Sequence, residues 1–304
     1  MTKKYMALLA LLVIIYLGIT FSIPPDPVSL AKYNLSVLQS RLLSLSIAVP
    51  VIGIWFAAFY GFSKFKSYAE LIKSSPDGKA FVRLSSGIMV LAIGLPVSSI
   101  LSSTLNYLGR QNHDLLPQVV ITNNYISLLI AAVGFTLIAK GAADLAKVTK
   151  KALPSRSLVA IVVFLLLAAA YIYATLTNPN RTVPVIASGR ATYFLPDWLI
   201  LTTIITPYLY VWYKGLQAAF DINFYRKNIQ GILYKKMLGY LAAGLTAVVV
   251  SSIFLQFLGA VSVALQKLSL APLLIIIYIL LMVIAVGYVL IALGAKQLKK
   301  IEEV

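Results

Sequence analysis

The chain has 304 residues, of which 60% are hydrophobic and 12% are charged, and its mean hydropathy is +0.91. Soluble domains carry about 25% charged residues, so this composition excludes a soluble domain and predicts a protein embedded in lipid. Cysteine is absent, which excludes disulfides, thiolate catalysis and cysteine-ligated clusters. The net charge of +17 follows the pattern of membrane topology described below, so no nucleic-acid partner is expected.

Eight apolar runs are long enough to cross a membrane, because a hydrocarbon core about 30 Å thick needs roughly 20 apolar residues per helix. In chain order they cover residues 5–23, 40–62, 83–106, 121–143, 157–176, 197–219, 238–261 and 270–294. The first run follows Lys3 and Lys4, as in a signal peptide, but no small-residue cleavage site follows Phe21. It is therefore kept as a span, and the predicted fold class is an all-α integral membrane protein with eight transmembrane helices.

The second half of the chain repeats the first. At an offset of 157 residues, Pro50 falls on Pro207, Trp55 on Trp212, Tyr68 on Tyr225, Lys79 on Lys236 and Gly87 on Gly244. The offset is 155 for the first span, where Tyr16 falls on Tyr171, and 153 for the fourth, where Gly134 falls on Gly287. The prediction is one membrane domain of two tandem parallel four-helix repeats, residues 1–152 and 153–304, related by a pseudo-two-fold axis along the membrane normal.

Basic residues are concentrated on one side of the predicted spans. If both termini are cytoplasmic, all but six of the 26 Lys and Arg residues lie on the inner side, with clusters that include Lys64, Lys66, Lys73 and Lys79; Lys147, Lys150, Lys151 and Arg156; Arg226, Lys227, Lys235 and Lys236; and Lys296, Lys299 and Lys300. This bias predicts a protein of the cell membrane with cytoplasmic N- and C-termini. The inner face is expected to meet anionic lipid headgroups.

The inner loops at residues 63–82 and 220–237 combine these basic residues with apolar ones. Phe65, Tyr68, Leu71 and Ile72 belong to the first loop, and Phe224, Tyr225, Ile229 and Ile232 to the second. This amphipathic pattern predicts short helices lying on the membrane surface.

A proline lies near the middle of spans 2 and 6, at Pro50 and Pro207. Each removes a backbone donor and frees a carbonyl four residues earlier. The pair predicts kinks that open a cavity or act as hinges, beside Trp55, Tyr208 and Trp212. The alternative is static helix shape, because prolines are tolerated in membrane helices.

Spans 3 and 7 carry small or polar residues at every fourth position. Gly239, Ala243, Ala247 and Ser251 in span 7 predict close helix packing. Gly94, Ser98, Ser102 and Asn106 in span 3 form a more polar stripe, for which packing and a hydrated or ligand-contacting surface both remain open. Gln256 is the most polar side chain well inside span 7, and it either lines a cavity or ties span 7 to span 3 by a hydrogen bond.

These residues define the predicted site. The halves are expected to meet along spans 2, 3, 6 and 7, with a substrate cavity open to the outer side and bounded by Pro50, Trp55, Ser98, Ser102, Pro207, Tyr208, Trp212 and Gln256. Arg41, Asn106 and Asp197 are expected to cluster at its outer mouth, where they would hold a polar headgroup or an anionic solute.

Several chemistries are disfavoured by residues that the spans lack. No acid lies near a span centre, which disfavours a carboxylate-based ion relay. His113 is the only histidine and falls in an outer loop, so neither bis-His haem nor a His-rich metal site is expected. No nucleophile, acid and base come together in a known pattern, so no cofactor, no metal and no enzymatic activity are predicted.

The sequence thus favours a multi-pass membrane protein that handles a small or lipid-like solute, as a transporter, a channel-like protein or a lipid-binding protein. The alternative is a sensor, scaffold or assembly subunit that docks a partner on its basic cytoplasmic face. A protein partner or a homo-oligomer is compatible with either function.

Overall fold

The computed structural model describes residues 3–25, 27–75, 77–111, 116–149, 158–176, 201–260 and 270–302. These residues form helices and no strand. The helices are α1 (Lys3–Ser22), α2 (Pro27–Tyr33), α3 (Val37–Leu71), α4 (Gly78–Gln111), α5 (Leu116–Val148), α6 (Leu158–Leu176), α7 (Thr206–Asn228), α8 (Ile232–Ala260) and α9 (Leu270–Glu302). A π-helical turn, Leu201–Ile205, precedes α7.

Six of these helices hold an apolar stretch long enough to cross a membrane. The stretches lie in α1, α3, α4, α5, α8 and α9, and α6 adds a shorter apolar segment, Ile161–Thr175. Many large apolar side chains of these helices are exposed. A surface of this kind is solvated by a lipid bilayer and not by water. The chain is therefore an all-helical, multi-pass membrane protein.

The predicted surface helices in the two inner loops are wrong. Helix α3 continues without a break to Leu71, and α7 continues to Asn228. The aromatic residues of these segments, Phe65, Tyr68 and Tyr225, are buried in the core. These three rings pack inside the bundle, whereas Leu71 and Ile232 of the same segments are exposed. The helices are therefore longer than predicted, and the links to the next helix are short.

The two halves of the described chain meet along α3 with α9 and α5 with α7. The expectation that they meet along spans 2, 3, 6 and 7 is correct for spans 2 and 6 and wrong for spans 3 and 7. Helix α4 packs most extensively on α5, and α8 on α9. Because α5 covers α4 and α9 covers α8, the helices that contact the other half, besides α3 and α7, are α5 (span 4) and α9 (span 8).

Within each half, two neighbouring helices come into backbone contact at a pair of glycines. A Cβ atom on Gly87 would lie 2.6 Å from the carbonyl oxygen of Gly134, and one on Gly244 would lie 2.5 Å from that of Gly287. The absence of side chains thus lets α4 approach α5 and α8 approach α9 at backbone contact. Of the predicted stripe on α8, Ser251 is buried and Ala243 is exposed, and the backbone contact is made at Gly244.

An aromatic pair joins the first helix of each half to the next long one. The rings of Tyr16 and Trp55 lie 5.0 Å apart, and those of Tyr171 and Trp212 lie 5.1 Å apart. Both tryptophans are buried. The edge-on and tilted ring geometries are those that aromatic quadrupoles favour.

Candidate functional site

The predicted cavity residues occupy different environments. Trp55 and Trp212 are each 1% exposed and fill the bundle, and the Trp212 ring also lies 6.4 Å from that of Tyr208. The indole N–H of Trp212 donates to no acceptor among the described residues. Pro50, Ser98, Ser102, Pro207 and Tyr208 are half-buried, while the side chain of Gln256 lies outside the described part.

The two prolines sit in different backbone settings. Pro50 lies inside the continuous helix α3, where the hydroxyl of Ser46 donates to the Leu43 carbonyl at 2.7 Å. The hydroxyl of Tyr278 on α9 donates in turn to the Ser46 oxygen, which ties the proline region to the other half. Pro207 lies in the first turn of α7, directly after the π-helical turn. Its missing N–H therefore falls where a helix leaves donors unpaired in any case.

Of the predicted outer mouth, only Arg41 has a described side chain. Its guanidinium donates to the carbonyl oxygens of Thr20 and Phe21, at the end of α1. A cation at the last carbonyls of a helix complements the negative end of the helix dipole. The side chain of Asn106 and the whole of Asp197 lie outside the described residues, so the three-residue cluster stays a prediction.

The end of the bundle where α3 and α7 finish, and α4 and α8 begin, is here called the basic end. There the hydroxyl of Tyr225 donates to the carboxylate of Asp77 at 3.0 Å, and the rings of Tyr68 and Tyr234 lie 6.2 Å apart. Both contacts join the two halves. Burial, followed by the negative charge of Asp77, raises the pKa of the Tyr225 phenol, so the phenol is neutral and acts as the donor.

A cleft of about 730 Å³ opens between α6, α7 and α8. Its walls are mainly apolar, and its polar side chains are Tyr213, Gln217, Asn223, Arg226 and Thr246. Exposed apolar side chains on its rim, including Leu165 and Phe220, place its opening on the surface that faces lipid. None of the eight predicted cavity residues lines this cleft.

The place in the first half that corresponds to this cleft is filled by side chains. At the corresponding place the Tyr5 ring of α1 packs on Phe62 with centroids 4.9 Å apart, and the Tyr5 hydroxyl accepts a hydrogen bond of 2.8 Å from Lys66. The residues at the equivalent sequence positions are Ala160, Ala219 and Asn223. Because small side chains replace two aromatic rings, the space between α6 and α7 is not filled.

Helix packing agrees with this difference. Helix α1 packs on both α3 and α4, whereas α6 packs mainly on α8. Contacts of α6 with α7 include two ring pairs, Phe164 with Tyr213 at 6.1 Å and Tyr171 with Trp212 at 5.1 Å. Tyr171 closes one end of the α6–α7 contact, and the cleft extends from there toward the basic end.

Basic residues border the cleft at that end. Arg226 lines both the cleft and a neighbouring depression of about 490 Å³ formed with Lys227, Lys235 and Lys236. The Arg226 guanidinium lies across Gly239, where a Cβ atom would come within 2.6 Å of its Nη1. The apolar cleft therefore lies directly beside a cluster of four positively charged side chains.

Sequence reasoning assigned the cleft residues other roles. From the sequence, the four basic residues belong to an inner face expected to meet anionic headgroups or a partner, and Gly239 and Ala243 belong to a predicted packing stripe. Aligning the two halves of the sequence gives a signal, since Gly239 stands where the first half has Val82, and Ala219 where it has Phe62. Loss of bulk at equivalent positions marks a place where the two halves cannot pack alike.

Metal chemistry finds no support in the described part of the chain, where no three His, Asp or Glu side chains come together. No protein-family model, curated protein or solved structure matches this chain.

Proposed function

We propose that this protein is a non-catalytic, multi-pass membrane protein that binds a lipid-like molecule in the cleft between α6, α7 and α8. Eight spans in two parallel four-helix repeats form its framework, with both termini cytoplasmic and no carboxylate-based ion coupling. The single observation that carries the lipid-binding function is the apolar cleft, which opens on the lipid-facing surface and ends beside Arg226.

The repeat framework is supported by contacts that recur at equivalent positions. The pair Gly87–Gly134 corresponds to Gly244–Gly287, and Tyr16–Trp55 corresponds to Tyr171–Trp212. Contacts between the halves also come in matching pairs, α3 with α9 and α5 with α7. A parallel duplication about an axis along the membrane normal accounts for this correspondence.

The form of the cleft supports a lipid-like ligand. Its volume of about 730 Å³ lies within the range of roughly 300–1,000 Å³ found for small-molecule sites. Mainly apolar walls with the charged Arg226 at one end match a molecule that has an acyl chain and a polar head. A cleft at the side of the bundle favours lipid binding over a central channel, since Trp55 and Trp212 fill the interior.

Lipid that co-purifies with the protein tests this function. The intact chain is extracted in detergent and washed, and bound lipid is identified by mass spectrometry. Ala243→Phe and Ala219→Phe place aromatic rings in the cleft, the second as in the first half, so both should remove most of the bound lipid. Val163→Phe is the matched control, because Val163 is exposed on α6 and does not line the cleft.

The control protein should retain as much lipid as the unmodified chain. Lipid content that does not change in either cleft variant would show that the cleft is not the binding site.

A scaffold or assembly subunit is the second candidate, favoured by the exposed basic residues Lys227, Lys235 and Lys236. A protein partner that co-purifies at a fixed ratio, with no lipid, would favour that function instead.

A further inference from the structure

We propose that the ligand is an anionic phospholipid, with an acyl chain in the cleft and its phosphate held by Arg226, Lys227, Lys235 and Lys236. This inference rests on the proposed lipid-binding function and adds the headgroup charge and the residues that select it. The link between the two parts of the site is Arg226, which borders both the apolar cleft and the basic depression.

The position of Arg226 suits phosphate binding. Gly239 provides the space in which the guanidinium lies, half-buried, across the face of α8. A guanidinium offers two parallel N–H donors that match two phosphate oxygens. Its half-buried position at the inner end of an apolar groove is where the phosphate of a lipid would lie when the chain occupies the groove.

The charges of this cluster are not compensated within the described part of the chain. None of the four side chains forms an ion pair or a hydrogen bond with another described residue. Arg226 and Lys227 lie in the last turn of α7, where cations are favourable, but Lys235 and Lys236 lie near the start of α8. There the positive end of the helix dipole adds to their charge, and no acidic residue occupies the first turn. An anion relieves this repulsion.

The first half again serves as an internal comparison. The residues at positions equivalent to Arg226, Lys227, Lys235 and Lys236 are Ala69, Glu70, Gly78 and Lys79. One acid and one base among them leave no net charge, so this set of four cations has no equivalent at the same positions of the first half. The positive-inside bias would place these basic residues on the inner side, but it does not require them to lie next to the cleft. Their common location points to one ligand with both an apolar and an anionic part.

The test compares lipids that differ only in the headgroup. The full-length protein, stripped of lipid in detergent, is titrated with phosphatidylglycerol and with phosphatidylcholine of the same acyl chains, and binding is followed by native mass spectrometry. We expect phosphatidylglycerol to bind at least about tenfold more tightly, because each nearby cation raises the binding constant of an anionic headgroup roughly fivefold. Added salt should narrow the difference.

Charge variants assign the selectivity to residues. Arg226→Gln and Lys236→Gln should each reduce phosphatidylglycerol binding about fivefold and leave phosphatidylcholine binding unchanged. Lys79→Gln, at the position equivalent to Lys236, is the matched control and should bind like the unmodified protein. Glycerol phosphate, which has the anion without the chains, should compete weakly.

The outcomes separate this inference from the proposed function. Equal binding of the two lipids overturns the anionic headgroup. Unchanged selectivity in the exposed Lys235→Gln and Lys236→Gln variants overturns its assignment to this cluster, and either result leaves chain binding in place. Glycerol phosphate that binds as tightly as the lipid also overturns it, because the cleft would then contribute nothing. Binding of neither lipid by the unmodified protein overturns the proposed function as well.

Discussion

Tyr68 and Tyr225 occupy equivalent positions in the two halves but have different hydrogen-bond partners. The Tyr225 hydroxyl donates to Asp77, whereas that of Tyr68 is buried with no partner in the described chain. The other carboxylate oxygen of Asp77 also accepts no hydrogen bond from the described residues. The Tyr225–Asp77 contact is therefore the main polar interaction of this carboxylate and links the two halves.

Tyr225→Phe should destabilise the protein by about 1.5–3 kcal/mol, the usual range for a hydrogen bond to a charged group. Tyr68→Phe is the matched control and should cost little, because it removes a hydroxyl without a partner. Thermal unfolding in detergent measures both. Equal losses in the two variants would contradict the importance of the Asp77 contact.

The same contact should be insensitive to moderately alkaline pH. Burial and the Asp77 charge raise the pKa of Tyr225 above the ordinary value of about 10 for tyrosine. A group with a raised folded-state pKa contributes stability that is complete below its unfolded pKa and is lost as the pH rises through the folded one. The difference in Tm between the unmodified protein and Tyr225→Phe should thus stay constant between about pH 7 and 9.

At the scale of helices, the close pairs α4–α5 and α8–α9 depend on glycine. A Cβ atom at Gly87 or Gly244 would meet a backbone oxygen at 2.6 or 2.5 Å, so the helices must separate to accept it. Gly87→Ala and Gly244→Ala should each cost about 1–3 kcal/mol by overpacking. The costs in the two halves should be similar.

Gly53→Ala is the control for this pair of variants. Nothing lies within 4 Å of a Cβ atom at Gly53, and alanine favours the helix, so stability should be unchanged or slightly higher. The free energy of unfolding of each of the three variants is measured by titration with a denaturing detergent. Tolerance of alanine at Gly87 or Gly244 would contradict the close backbone packing.

For the whole molecule, the predicted orientation can be tested because the chain has no cysteine. A single cysteine in place of Arg190 should react with an impermeant thiol reagent added to intact cells. One in place of Lys150 should react only after the membrane is opened, since the basic side is retained in the cytoplasm. The reverse labelling would overturn the proposed topology.

The two halves of the described chain are packed differently at the place where the cleft opens. In the first half Tyr5, Phe62 and Lys66 fasten α1 to α3, and this supports the bundle. The equivalent positions of the second half hold Ala160, Ala219 and Asn223, and the cleft opens there beside Arg226.

Helix α3 illustrates the limit of reading elements from hydropathy. The sequence predicted its apolar run at 40–62 and a loop beyond, but the helix extends to Leu71. Hydropathy reports average solvation, and the segment after residue 62 mixes lysines with buried Phe65 and Tyr68. Whether such a segment lies on a membrane or against a neighbouring helix depends on that neighbour, which hydropathy does not describe.

The sequence by itself determined the membrane class, because a long apolar run must avoid water whatever its neighbours are. It also predicted the duplication, the basic clusters and the residue pairs, such as Trp55 and Trp212, that occupy equivalent positions. Only the tertiary structure decided which helices join the halves and where space remains. The cleft depends on Ala219 facing α6 without the ring that Phe62 supplies in the first half, and on Arg226 crossing Gly239. The size of such a space depends on which side chains of different helices face each other, and this is known only once the packing of the helices is known.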